Sequence, residues 1–116
     1  FFFFKKRKDW ERTAGIGFGV KAYWFAPKNK IAYIHLRDVE GKFPLFKECF
    51  LGEGNYKPYE VIKALHKHGY TGSILDDHTP TLTGDSAYGH RGRAHAIGYI
   101  QALIEVVTNN WVKTKK

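Results

Sequence analysis

Two short apolar runs, each cut off by titratable side chains, constrain this chain more than any other feature. Ile31-Ala32-Tyr33-Ile34-His35-Leu36 is continuous rather than alternating in hydrophobicity and ends in Arg37-Asp38. Ser73-Ile74-Leu75 stops as abruptly in Asp76-Asp77-His78. Unbroken runs of this kind are how strands buried on both faces read, as in a parallel sheet covered by helices. Helix signals lie beside them. Pro58 suits a first turn, Tyr59, Ile62, Ala64 and Leu65 give an inner stripe, and Gly69 stops that helix. A second helix is expected from Tyr88 to Thr108, with Ile97, Ile100, Ile104 and Val107 along one face.

Between these elements, Gly15 to Val20 reads as a further short strand and Gly41 to Asn55 as a long loop containing the turn Gly52-Glu53-Gly54-Asn55. Strands alternating with helices imply an α/β fold with parallel strands. A closed (β/α) barrel needs roughly 250 residues. The 116 residues here predict a partial TIM-type barrel of two to four parallel strands with covering helices. An unclosed sheet exposes edges and an apolar face, so completion by oligomerisation is expected. Residues 1–14 read as a basic, aromatic N-terminal extension and 15–116 as the barrel domain.

Composition narrows the function classes. Hydrophobic residues are 43% and charged residues 26%, a globular balance. No apolar run approaches the roughly 18 residues of a membrane span. Phe1 to Phe4 precede Lys5-Lys6-Arg7-Lys8, the reverse of a secretory signal, so a cytoplasmic location is expected. The single cysteine, Cys49, excludes an intramolecular disulfide and a multi-cysteine zinc module. Net charge is +8, and the first 30 residues hold eight Lys or Arg against Asp9 and Glu11. That basic, aromatic end is the one feature that would suit a nucleic-acid partner.

Chemistry is expected at the strand ends. The carboxyl ends of parallel strands form the active-site face of barrel and open α/β proteins. His35 and Asp77 can share one divalent ion there, imidazole and carboxylate being suitable ligands for Mn²⁺, Fe²⁺ or Zn²⁺. His66, His68, His90 and His95 lie on the helices and are assigned no chemical role.

The same residues carry a family resemblance. Ile34-His35-Leu36-Arg37-Asp38-Val39 resembles the His-x-Arg-Asn/Asp strand end of the mannonate dehydratases. Glu53-Gly54-Asn55, His68-Gly69-Tyr70-Thr71-Gly72 and Asp77-His78-Thr79-Pro80 follow that family's pattern in order. Tyr88, Gly92, Arg93, Ala94, Ala96, Ile97, Gly98 and Tyr99 are similar to its closing helix. The resemblance implies a metal-dependent hydro-lyase that converts D-mannonate to 2-keto-3-deoxy-D-gluconate. It further implies His35 and Asp77 as ligands of Mn²⁺ or Fe²⁺, and His78 and Tyr88 as acid-base groups. Arg37 would bind the substrate carboxylate or the loop around it, and Arg93 would tie the last helix to the sheet. The pattern departs at Gly19, where the family has a cysteine ligand, and at Leu75 and Asp76, where it has Arg and Pro. Two other functions fit the residues: a non-catalytic oligomeric remnant of such a barrel, and a basic nucleic-acid-binding module.

Overall fold

The computed structural model describes residues 2–4, 27–42 and 44–108. The strand expected at Gly15 to Val20, and most of the basic N-terminal stretch, lie outside them. Among the described residues seven elements follow in order: β1 (Phe2–Phe4), β2 (Ile31–Leu36), β3 (Asp38–Lys42), β4 (Leu45–Cys49), α1 (Pro58–Lys67), β5 (Ser73–Asp76) and α2 (His90–Thr108).

The organising feature is the parallel pairing of β2 with β5, in register from Tyr33 opposite Ser73 to Leu36 opposite Asp76. Parallel neighbours require a long crossover, and here it contains α1. This makes the fold mixed α/β with parallel strands, as expected. Phe2–Phe4 adds an antiparallel strand on the other side of β2, giving the sheet order β1-β2-β5.

Neither parallel strand is buried on both faces. In β2, Ile31, Ile34 and Leu36 are buried, whereas Tyr33 and His35 face a more open side. In β5, Ile74 packs against the core while Leu75 stays exposed. The unbroken hydrophobicity of the two runs therefore marks one core face plus one half-open face, on which His35 sits.

The helices cover the core face with stripes that differ in part from those expected. In α1 the buried residues are Pro58, Val61, Ile62 and Leu65, a spacing of one and two turns. Tyr59, assigned to that stripe from sequence, is exposed. The helix ends as expected at Gly69 (φ 70). The Tyr70 N–H donates to the Leu65 carbonyl and the Gly69 N–H to that of His66, closing the last carbonyls in a Schellman arrangement. In α2 the buried line is Gly92, Ala96 and Ile100, continued by half-buried Leu103, Ile104 and Val107. Ile97 is 45% exposed. Small residues at 92 and 96 let the start of the helix approach closely, while Ile100, Leu103, Ile104 and Val107 supply the apolar part of its inner face.

A larger departure is the region expected to be a loop. Asp38–Lys42 and Leu45–Cys49 form an antiparallel hairpin, with Lys42 opposite Leu45 and Asp38 opposite Cys49. Its strands are mostly polar and exposed, so no apolar alternation announces them. Backbone pairing and cross-strand contacts such as Glu40 to Lys47 (2.7 Å) build it instead.

Candidate functional site

Strand register brings the first two predicted residues together. His35 lies opposite Leu75 and Leu36 opposite Asp76. The Asp77 N–H then donates to the Leu36 carbonyl at 3.0 Å, carrying the parallel ladder one residue past β5. His35 Nδ1 and Asp77 Oδ2 stand 3.7 Å apart, with side chains 30% and 23% exposed. They are thus reachable from solvent without being fully hydrated.

His78 completes the turn off β5 with φ 52, a left-handed conformation uncommon for a residue with a side chain. Its Nε2 is 3.5 Å from Asp77 Oδ1 and its Nδ1 is 3.6 Å from Glu48 Oε1. Glu48, on β4, also forms an ion pair with the Arg37 guanidinium. That guanidinium lies over the Phe46 ring, 5.9 Å from its centroid. The site is therefore a connected chain: His35, Asp77, His78, Glu48 and Arg37.

Glu48 is the member that sequence reasoning missed. It belongs to the hairpin read as a loop, and only the register, Val39 opposite Glu48, carries it to the strand ends. The signal that could have found it is Arg37 itself, a cation at a buried strand's end that calls for an acidic partner. Glu40 and Glu48 both lie within reach in sequence, and the hairpin pairs Glu40 with Lys47 instead.

Tyr88 is not brought into this cluster. It is 78% exposed, and its ring lies 6.1 Å from that of His90. Its carbonyl accepts from Arg93 Nε at 3.0 Å, and Arg93 Nη1 donates to Asp76 Oδ2 at 2.7 Å. Arg93 thus joins the start of α2 to the residue before Asp77, the structural tie expected of it. Asp85 steadies the same helix start by accepting from the N–H groups of Arg91, Gly92 and Ser86. Those backbone bonds, that of Arg91 foremost, hold its carboxyl below the usual range.

Asp38 follows the His-x-Arg segment but has a different role. It is 1% exposed, and its carboxylate accepts from the N–H groups of Val39, Gly52, Gly54 and Asn55 at 2.9 to 3.1 Å. A side chain at Gly54 would strike both that carboxylate and the Val39 carbonyl, so the turn requires glycine there. Cys49 is half-buried, and burial, followed by the carboxylate of Asp38, pushes its thiol up. It behaves as a packing residue rather than a nucleophile.

Beside the cluster, an open pocket of about 900 Å³ lies between the ends of β2, β3 and α1. His35 and Arg37 line one side, and Phe46, Tyr56, Val61 and Ala64 supply apolar walls. A divalent ion fits the His35–Asp77 pair in part. One imidazole nitrogen and one carboxylate oxygen at this separation can both reach an ion at roughly 2.1 Å. Among the described residues, however, no group of three His, Cys, Asp or Glu side chains is disposed to hold a metal. The pair would supply two ligands of a larger set.

Comparison with known proteins places the chain in a family. The family model for D-mannonate dehydratase (UxuA) matches residues 20–114. A mannonate dehydratase of Streptococcus uberis is 34% identical over 85 residues, which cover 68% of this chain and 24% of that protein. One from Lactococcus lactis subsp. cremoris is 27% identical over 94 residues, 74% of this chain and 26% of its own length. The crystal structure of mannonate dehydratase from Streptococcus suis serotype 2 superposes with a TM-score of 0.70 at 26% identity, covering 84% of this chain and 30% of that one. The chain thus spans about a quarter of the length of the curated relatives it matches. With a family-model match over residues 20–114, a relative 34% identical across 68% of it, and a fold shared with a solved member, the chain belongs to the D-mannonate dehydratase family.

Proposed function

We propose that the strand-end cluster is the carboxyl-terminal part of a mannonate dehydratase site, acting in the conversion of D-mannonate to 2-keto-3-deoxy-D-gluconate. The observation that carries this reading is the approach of His35 Nδ1 to Asp77 Oδ2, 3.7 Å, from the ends of two parallel strands. In this reading His35 and Asp77 are two ligands of Mn²⁺ or Fe²⁺, and the remaining ligands come from outside the described residues. When bound, such an ion polarises the substrate carboxylate and acidifies the adjacent C2 proton.

The rest of the work falls to the chain's own side chains. His78 moves a proton at its imidazole, either taking it from C2 or giving one to the departing C3 hydroxyl. Tyr88, which the family resemblance made the complementary group, stands outside this cluster and 78% exposed, so the second proton falls to a group beyond it. A guanidinium has five N–H donors, so Arg37 can meet the substrate carboxylate while it remains bonded to Glu48. Self-association belongs to the same proposal, because the half-open face of β2 and β5 calls for further strands and helices.

Titration of Mn²⁺ into the wild type, Asp77→Ala and His78→Ala, with D-mannonate dehydration assayed in parallel, tests the reading. Binding should be lost in Asp77→Ala and kept in His78→Ala, while turnover is lost in both. Binding without turnover in the wild type would favour a non-catalytic remnant. Binding indifferent to Asp77→Ala would remove the site assignment.

A further inference from the structure

Glu48 has no part in the roles assigned so far, yet it is the residue through which the hairpin touches the cluster. We propose that Glu48 is a positioning residue of this site, orienting the His78 imidazole from the β3–β4 hairpin while Arg37 holds Glu48 in place. The catalytic consequence rests on the dehydratase reading; the structural one does not.

The argument begins with how firmly Glu48 is mounted. Its backbone is paired with Val39, one step from the Cys49–Asp38 pair. Asp38 is in turn locked to the turn at Gly52 to Asn55 by its four N–H donors. The root of the hairpin is therefore the best-anchored part of it. The Glu48 side chain is fixed a second time by its ion pair with Arg37, a charge-assisted contact among the stronger kinds. Phe46, below the guanidinium, limits where Arg37 can go.

From that mounting, Glu48 Oε1 faces His78 Nδ1 at 3.6 Å, while Asp77 Oδ1 faces Nε2 at 3.5 Å. Each ring nitrogen thus meets a carboxylate from a different strand. Rotating the ring by half a turn would set carbon atoms against both oxygens, so the pull of the two carboxylates on a protonated ring favours the present orientation. His78 needs such restraint. It keeps a left-handed backbone and a side chain that is 54% exposed, with little packing to hold it. A left-handed residue with a side chain persists where its surroundings determine it.

Glu48 differs from a purely structural carboxylate in one further respect. Its Oε2 is buried without a hydrogen-bond partner among the described residues, whereas both oxygens of Asp38 are satisfied. Leaving that oxygen unbonded costs stability, so what the carboxylate contributes here lies in its contacts with Arg37 and His78.

The test uses the full chain labelled for NMR of the histidine rings, with Glu48→Ala, and with Glu48→Val, which suits a strand, should the first lose its fold. His78 ring resonances should shift toward those of exposed histidine in these variants, while amide signals along β2 and β5 hold their positions. Glu48→Gln, which keeps an oxygen of the same reach, should bring the His78 signals most of the way back. His78 signals unmoved by Glu48→Ala and Glu48→Val, or moved no less by Glu48→Gln, overturn the proposal. Where the wild type dehydrates D-mannonate, Glu48→Ala should lower kcat about 100-fold through misplacement of His78, with a smaller rise in KM because Arg37 loses its partner. A wild type without turnover would refute the dehydratase reading, and the ring spectra would still decide the positioning role.

Discussion

Asp38 and Asp77 are the same side chain in comparable places, just beyond the ends of two paired parallel strands, and their surroundings make them opposites. Asp38 is closed off from solvent, with four backbone N–H groups directed at its two oxygens. Asp77 is partly exposed, and among the described residues the imidazoles of His35 and His78 face its oxygens at 3.7 and 3.5 Å. A carboxylate whose acceptor positions are filled by backbone has none left for a ligand and serves to fix a loop. One held at longer range beside imidazoles keeps its lone pairs available to a cation. The lesson is that accounting for a carboxylate's hydrogen bonds separates a structural residue from a chemical one where residue type and position do not.

Removing Asp38 should have the largest effect on stability. Asp38→Ala strips the acceptor from the N–H groups of Gly52, Gly54 and Asn55 and should destabilise the fold by about 3 kcal/mol, read by urea denaturation. A loss under about 1 kcal/mol would mean that water replaces the carboxylate without difficulty, and the contrast with Asp77 would collapse. Gly54→Ala sharpens the same point from the other side. The added methyl must displace the Asp38 carboxylate or the Val39 carbonyl, at a cost of about 2 kcal/mol, and the same denaturation experiment measures it. Asp77→Ala should have the smallest effect. Without added metal its stability should fall within about 0.5 kcal/mol of wild type, because the backbone bond to Leu36 survives the substitution. An effect as large as that of Asp38→Ala would show Asp77 to be structural as well.

Legibility in the sequence followed the range of the interactions involved. The two apolar runs located β2 and β5, and the charged residues just past them located His35, Asp77 and His78, because burial and its abrupt end are written in adjacent residues. Pro58 and Gly69 marked α1 through local backbone preferences. The inner face of α2 was read correctly at Ile100, Ile104 and Val107 but not at its first turns, where Gly92 and Ala96 lie inside and Ile97 outside because close approach decides the contact there. The hairpin was missed because its strands bury almost nothing. With it went Glu48, and with Glu48 the restraint on Arg37 and His78.

By itself, then, the sequence determined the α/β class, the family, and the pair of strand ends where chemistry is to be sought. Each of these follows from patterns within a few residues of one another. Only the tertiary structure decided which aspartate is closed and which is open, that Glu48 joins the cluster, and that Tyr88 stands outside it. Those outcomes depend on register between segments far apart in the chain, such as Val39 opposite Glu48 and Leu36 opposite Asp76. Shifting a pairing by one residue reverses which side chains share a face, and no local pattern in a polar hairpin specifies that choice.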